Sequence, residues 1–80
     1  MNNTDIYNAA FFELFQIESG SPLKNLEYQG TVLWDSVGHM ELIARLESDF
    51  SVMIDMDDVI DFSSYEKGKS ILSKYNVEID

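Results

Sequence analysis

Along residues 6–17 apolar side chains recur at Tyr7, Ala10, Phe11, Leu14 and Phe15, close to the i, i+3, i+4, i+7, i+8 spacing that lines one face of an α-helix. Thr4-Asp5 offers a cap ahead of this pattern. Glu18-Ser19-Gly20-Ser21-Pro22 offers the stop, because glycine accepts a positive-φ ending and proline cannot continue a helix. A first helix over about Ile6 to Ile17 follows. From there to Asp35 the apolar residues Leu26, Tyr28, Val32, Leu33 and Trp34 are irregularly spaced, which predicts a long loop pinned to the core by single anchors. Loops of this length in compact domains are usually functional or specialised.

Helical periodicity returns at Ser36 or Val37 and runs to Asp49 or Phe50. One stripe carries His39, Leu42, Ile43, Leu46 and Phe50 and reads as core. A second carries Val37, Met40, Glu41, Ala44, Glu47 and Ser48, a mixture of apolar groups and carboxylates that suits a docking face. After Ile54, Asp55 can cap a short helix whose first turn holds Asp57 and Asp58, at the end that favours negative charge. Ser63 and Glu66 have capping-box spacing and open a last helix to about Tyr75, with Tyr65, Ile71, Leu72 and Tyr75 inward and Lys74 at its negative end. Gly68 inside that helix costs about 1 kcal/mol against alanine, so a close helix crossing is expected there. The tail Val77-Glu78-Ile79-Asp80 is expected to fray. The sum is an all-α fold, a small four-helix bundle of three main helices and one short one, with a long loop between helices 1 and 2.

Eighty residues allow one domain, near the size at which a single hydrophobic core is only marginally sufficient. With no cysteine and a single histidine, disulfide frameworks, thiolate metal sites and multi-histidine sites drop out. No apolar run approaches the roughly 20 residues that span a bilayer, and the Met1-Asn2-Asn3-Thr4-Asp5 start lacks the basic character of a signal peptide. The expectation is a cytoplasmic protein without membrane insertion. Fifteen acidic against five basic residues give a net charge of −10, which repels nucleic acid and anionic membranes and favours partners with basic surfaces. The hydrophobic fraction of 45% is too high for a disordered acidic tail, so the chain should fold.

Against this sparse background Trp34-Asp35-Ser36-Val37-Gly38-His39 stands out, because it puts one serine between an acidic residue and an amphipathic helix. The ordinary reading of such a serine is an N-cap. A serine hydrolase would need a nucleophile elbow or an equivalent base and oxyanion site, and Ser36 has only His39 one turn on. An EF-hand beginning at Asp55 would place Val59 at position 5 and Ile60 at the glycine position 6, so that match fails; N-terminal capping is the ordinary reading of these aspartates, with weak, nonspecific divalent binding to the acidic face the alternative.

Asp35-Ser36-Val37 beside Glu41-Leu42-Ile43, with Leu46, Glu47, Phe50, Ile54 and the later acidic turn, resembles the acyl carrier protein family and its Asp-Ser-Leu motif. The similarity covers most of the chain and is strongest from Leu33 to Leu72. The Trp34-Asp35-Ser36-x-x-His39 form further resembles a subset of stand-alone carriers found with specialised pathways, surface polysaccharide synthesis among them.

The resemblance implies a non-catalytic carrier, expected to be monomeric, that holds acyl or aminoacyl groups as thioesters on a 4'-phosphopantetheine arm attached to Ser36. Coenzyme A would supply the arm, a separate phosphopantetheinyl transferase would attach it, and Asp35 would help position that reaction. Val37, Met40, Glu41, Ala44 and Glu47 match the positions read by partner enzymes that load or transfer acyl and aminoacyl groups, and His39 is a candidate contact for the arm. A phosphodiester at a helix N-terminus is also electrostatically welcome. Two departures are plain: Val37 replaces the motif leucine, and Gly38 stands where common fatty-acid carriers have an aspartate, removing a recognition charge and loosening the first turn. Fatty acyl, polyketide, aminoacyl and sugar-modifying pathways stay open. So does a different class of function, a small acidic helical interaction module with a carrier-like fold and no prosthetic group.

Overall fold

The computed structural model describes residues 2–80 and contains four helices, α1 (Asn3–Leu14), α2 (Ser36–Phe50), α3 (Met56–Asp61) and α4 (Tyr65–Ser73). The architecture is the small all-α bundle that the periodicity predicts, with the long connection between α1 and α2. Its boundaries differ from the sequence reading where capping chemistry decides them. α1 starts earlier than Ile6 because the Asn2 side chain accepts the Asp5 N–H at 2.8 Å and takes the capping role assigned to Thr4-Asp5.

The same helix ends before Ile17. Gln16 adopts a left-handed conformation at φ 54°, and the Ile17 N–H folds back to the Phe12 carbonyl at 3.0 Å, satisfying a terminal acceptor without glycine. This early stop turns Phe15 into the core beyond the helix end. Gly20, expected to end the helix, serves its positive φ in the following turn instead.

Trp34 is the centre of the core. It is fully buried, stacks on Phe15 at 5.2 Å, and meets Phe11 and Phe62 edge-on at 5.5 and 6.5 Å. Aromatic pairs in such offset and edge geometries add stabilisation beyond their buried area. Leu23 and Leu26 are the other loop anchors. Val32 and Leu33, expected to anchor as well, face solvent, because the turn that buries Trp34 points its two predecessors outward.

A short antiparallel bridge stitches this loop to the start of α4: the Tyr28 N–H donates to the Ser63 carbonyl and the Tyr65 N–H to the Leu26 carbonyl, both at 2.9 Å. Ser63 is thereby committed to the bridge, and the cap of α4 passes to Ser64, which accepts the Lys67 N–H at 3.0 Å; the expected Ser63–Glu66 box is not formed. Gly68 is buried as anticipated. A Cβ there would overlap the Phe62 ring and the Tyr7 hydroxyl, which reaches across from α1 to the Tyr65 carbonyl at 2.6 Å. α4 ends at Ser73, before Tyr75, yet the tail does not fray. Val77 is buried, the Asp80 N–H donates to Thr4 Oγ at 3.1 Å, and Lys69 Nζ donates to the Asp80 carbonyl at 2.9 Å.

Candidate functional site

Ser36 is the first residue of α2, and its side chain is exposed. It is not the cap. Asp35 holds that position in an extended conformation, and its Oδ1 accepts the Gly38 N–H at 2.8 Å while its carbonyl accepts the His39 N–H at 2.7 Å. A carboxylate at this end of the helix also meets the positive pole of the macrodipole. The serine hydroxyl is thus released from capping duty by its neighbour.

Gly38 is held in this turn by close packing and by the Asp35 bond. It is buried, and a Cβ would overlap the Leu33 carbonyl oxygen and lie 3.3 Å from the Phe15 ring. Only glycine lets the loop carbonyl lie directly against the helix, which brings Trp34 and Asp35 into α2 at the required angle.

Beside Ser36 opens an apolar cleft of about 360 Å³. α2 contributes Ser36, His39 and Met40 to it, α3 contributes Met56, Val59 and Ile60, and Phe62, Ser63 and the loop residue Tyr28 complete the lining. Met40, Met56 and Ile60 remain more than half exposed. Among the described residues no lysine or arginine lines the cleft, and α3 itself carries three aspartates and no basic residue. Tyr28, expected as a core anchor, and Ser63, expected as a cap, line the cleft together with Met56 and Ile60, and none of the four carries a site role in the sequence pattern. Met56 and Ile60, four apart on a short helix, carry the one signal that could have found two of them.

His39 is half-buried at the floor of this cleft. Its Nδ1 accepts the Trp34 indole N–H at 2.9 Å, which leaves the ring proton on Nε2 to donate to the Val59 carbonyl at 2.8 Å. One neutral tautomer therefore joins the buried tryptophan, α2 and α3. The ring also lies near-parallel to Trp34 at 6.2 Å and edge-on to Tyr28 at 5.3 Å.

The expected docking stripe divides. Val37, Met40, Glu41 and Ala44 face solvent along α2. Glu47 is half-buried, and its Oε2 accepts the Ile54 N–H at 2.9 Å, so this carboxylate closes the turn after α2. At α3 the Asp55 side chain makes no capping bond, although Asp55 occupies the cap position. Asp58, expected only to complement the helix dipole, is buried and accepts from Lys74 Nζ and, at 2.6 Å, from the Tyr75 hydroxyl. Lys74 first and Tyr75 second hold its carboxyl below the usual carboxylate range. Tyr75 in turn accepts the Asp55 N–H at 2.9 Å, so α3 is fastened to the residues that end α4.

Among the described residues no helix is long and apolar enough to cross a membrane. Comparison with known proteins returns no matching family model, no matching curated protein and no matching solved structure.

Proposed function

We propose that this protein is an acyl carrier, modified at Ser36 with 4'-phosphopantetheine and without catalytic activity of its own. The observation that carries this reading is an exposed serine hydroxyl at the first position of α2, excused from capping by Asp35 and set at the rim of an apolar cleft. The residues present fit the group. Ser36 Oγ is free to attack the pyrophosphate of coenzyme A inside a transferase, losing its proton to that enzyme and forming the phosphodiester as the pyrophosphate P–O bond breaks and adenosine 3',5'-bisphosphate leaves; the N-terminal end of α2 stabilises the added negative charge. When bound, the arm supplies a thiol that carries an acyl or aminoacyl group as a thioester. Met40, Met56 and Ile60 offer apolar surface next to the attachment point, while Val37, Glu41 and Ala44 remain open to a partner enzyme with a basic docking surface. Asp35 acts here chiefly by holding the turn that presents Ser36. We place the protein in the cytoplasm, where coenzyme A and the transferase are found together.

Intact mass after incubation with coenzyme A and a broad-specificity phosphopantetheinyl transferase tests the proposal. One arm on the wild type and none on Ser36→Ala is expected. An unmodified wild type rejects the carrier reading, and binding of an unmodified protein to its partner, lost on charge reversal at Glu41, would then favour the interaction-module reading.

A further inference from the structure

The floor of the cleft separates it from the aromatic core. Trp34 is fully buried behind His39 and Phe62, both of which line the cleft and touch the indole. For a chain lying in the cleft to pass deeper, the His39 ring would have to swing aside, giving up its bond to the Val59 carbonyl and leaving the Trp34 N–H buried without an acceptor. An unsatisfied buried donor costs the full desolvation of that group, whereas apolar contact in the cleft is available without breaking anything. From this geometry we infer that His39 is a specificity-determining residue: it closes the bundle interior to cargo and confines an acyl group on Ser36 to the surface cleft between α2 and α3.

The inference rests on the carrier reading, and the charge pattern supports the kind of occupant. A cleft without a lysine or arginine among its described lining residues, on a protein of net charge −10, disfavours a free fatty acid anion. An uncharged chain held through a thioester meets no such penalty. Short groups then fill the cleft, and the distal part of a long chain stays outside the protein, available to a partner.

Trp34 is the one tryptophan of the chain and reports directly on the core side of the floor. The transferase would load wild type, His39→Ala and His39→Gln with arms bearing butyryl, octanoyl or hexadecanoyl groups, and intact mass would confirm each product. In the wild type the Trp34 emission maximum and its quenching by acrylamide are expected to be the same for all three lengths, and the melting temperature to level off after octanoyl. In His39→Ala the hexadecanoyl form should shift Trp34 emission and melt several degrees higher than the octanoyl form. His39→Gln, which keeps an acceptor and a donor, should behave as wild type and covers the case in which the alanine variant does not fold. A loaded wild type whose Trp34 emission tracks chain length overturns this proposal alone, whereas a wild type that accepts no arm at all overturns the carrier reading and the proposal with it.

Discussion

The Asp35 carboxylate accepts the Gly38 N–H at 2.8 Å, so the residue directly before Ser36 terminates the backbone of α2 and leaves the serine exposed. Two neighbouring side chains thereby divide two tasks that a single serine would have had to share. Loss of an N-cap costs about 1 kcal/mol, which in a domain of this size lowers the melting temperature by about 4–8 °C. Asp35→Ala is expected to show that loss and Asp35→Asn to recover most of it. Ser36→Ala should remain within about 0.5 kcal/mol of wild type, since it removes an exposed group outside the cap. Thermal unfolding of the three variants distinguishes these outcomes, and a large loss on Ser36→Ala would contradict the assignment of the cap.

Gly38→Ala should destabilise even though alanine favours helix. The added methyl overlaps the Leu33 carbonyl oxygen, a backbone atom that cannot rotate away. Overpacking of this kind costs about 1–3 kcal/mol, more than the helix propensity gained of about 1 kcal/mol. Urea midpoints with an unchanged m-value would register the effect as lost stability. An increase in stability would mean that the loop and α2 do not meet as described.

Asp58 predicts an acid-sensitive contribution to stability. Its carboxyl is held below the ordinary range by Lys74 and Tyr75, so folding favours the ionised form. That contribution is complete above the unfolded carboxylate value near about 4 and is lost as pH falls below it through the lowered folded value. Melting temperature measured from neutral pH downward should therefore fall in that window. In Asp58→Asn the fall should be smaller and the neutral-pH stability lower. Equal acid slopes for the two proteins would show that the pair does not persist in solution.

Glu41 and Glu47 should behave differently although both lie on the outer stripe of α2. Glu47→Ala frees the Ile54 N–H in a half-buried turn and is expected to cost about 1–2 kcal/mol, with Glu47→Gln intermediate. Glu41→Ala is exposed and should leave stability within about 0.5 kcal/mol, while charge reversal at Glu41 should weaken capture by a basic partner surface. Chemical denaturation alongside binding to the transferase separates the two roles.

The helices were legible because Tyr7, Ala10 and Phe11, or Leu42, Ile43 and Leu46, repeat at the helical period, a property carried by neighbours in sequence. The cap of α2 was not legible because Asp35 and Ser36 are both good caps, and their order is decided by how Gly38 seats against Leu33. Long-range pairings were the least visible. Nothing in the local pattern says that the Asp80 backbone finds Thr4, that Asp58 finds Lys74, or that Ser63 is engaged by Tyr28 and so cedes its cap to Ser64. The cleft was missed for the same reason: Ser36 and His39 were evident as candidates, but their opposite wall is set by where α3 lands.

The bridge between Leu26–Tyr28 and Ser63–Tyr65 joins segments that have all of α2 and α3 between them in sequence. Closing so long a stretch of chain carries an entropic toll that is repaid only once the intervening helices have assembled. The part of the cleft formed by Tyr28 and Ser63 is consequently expected to close late in folding, so that a partly assembled chain would display its serine before it had built the shelter beside it.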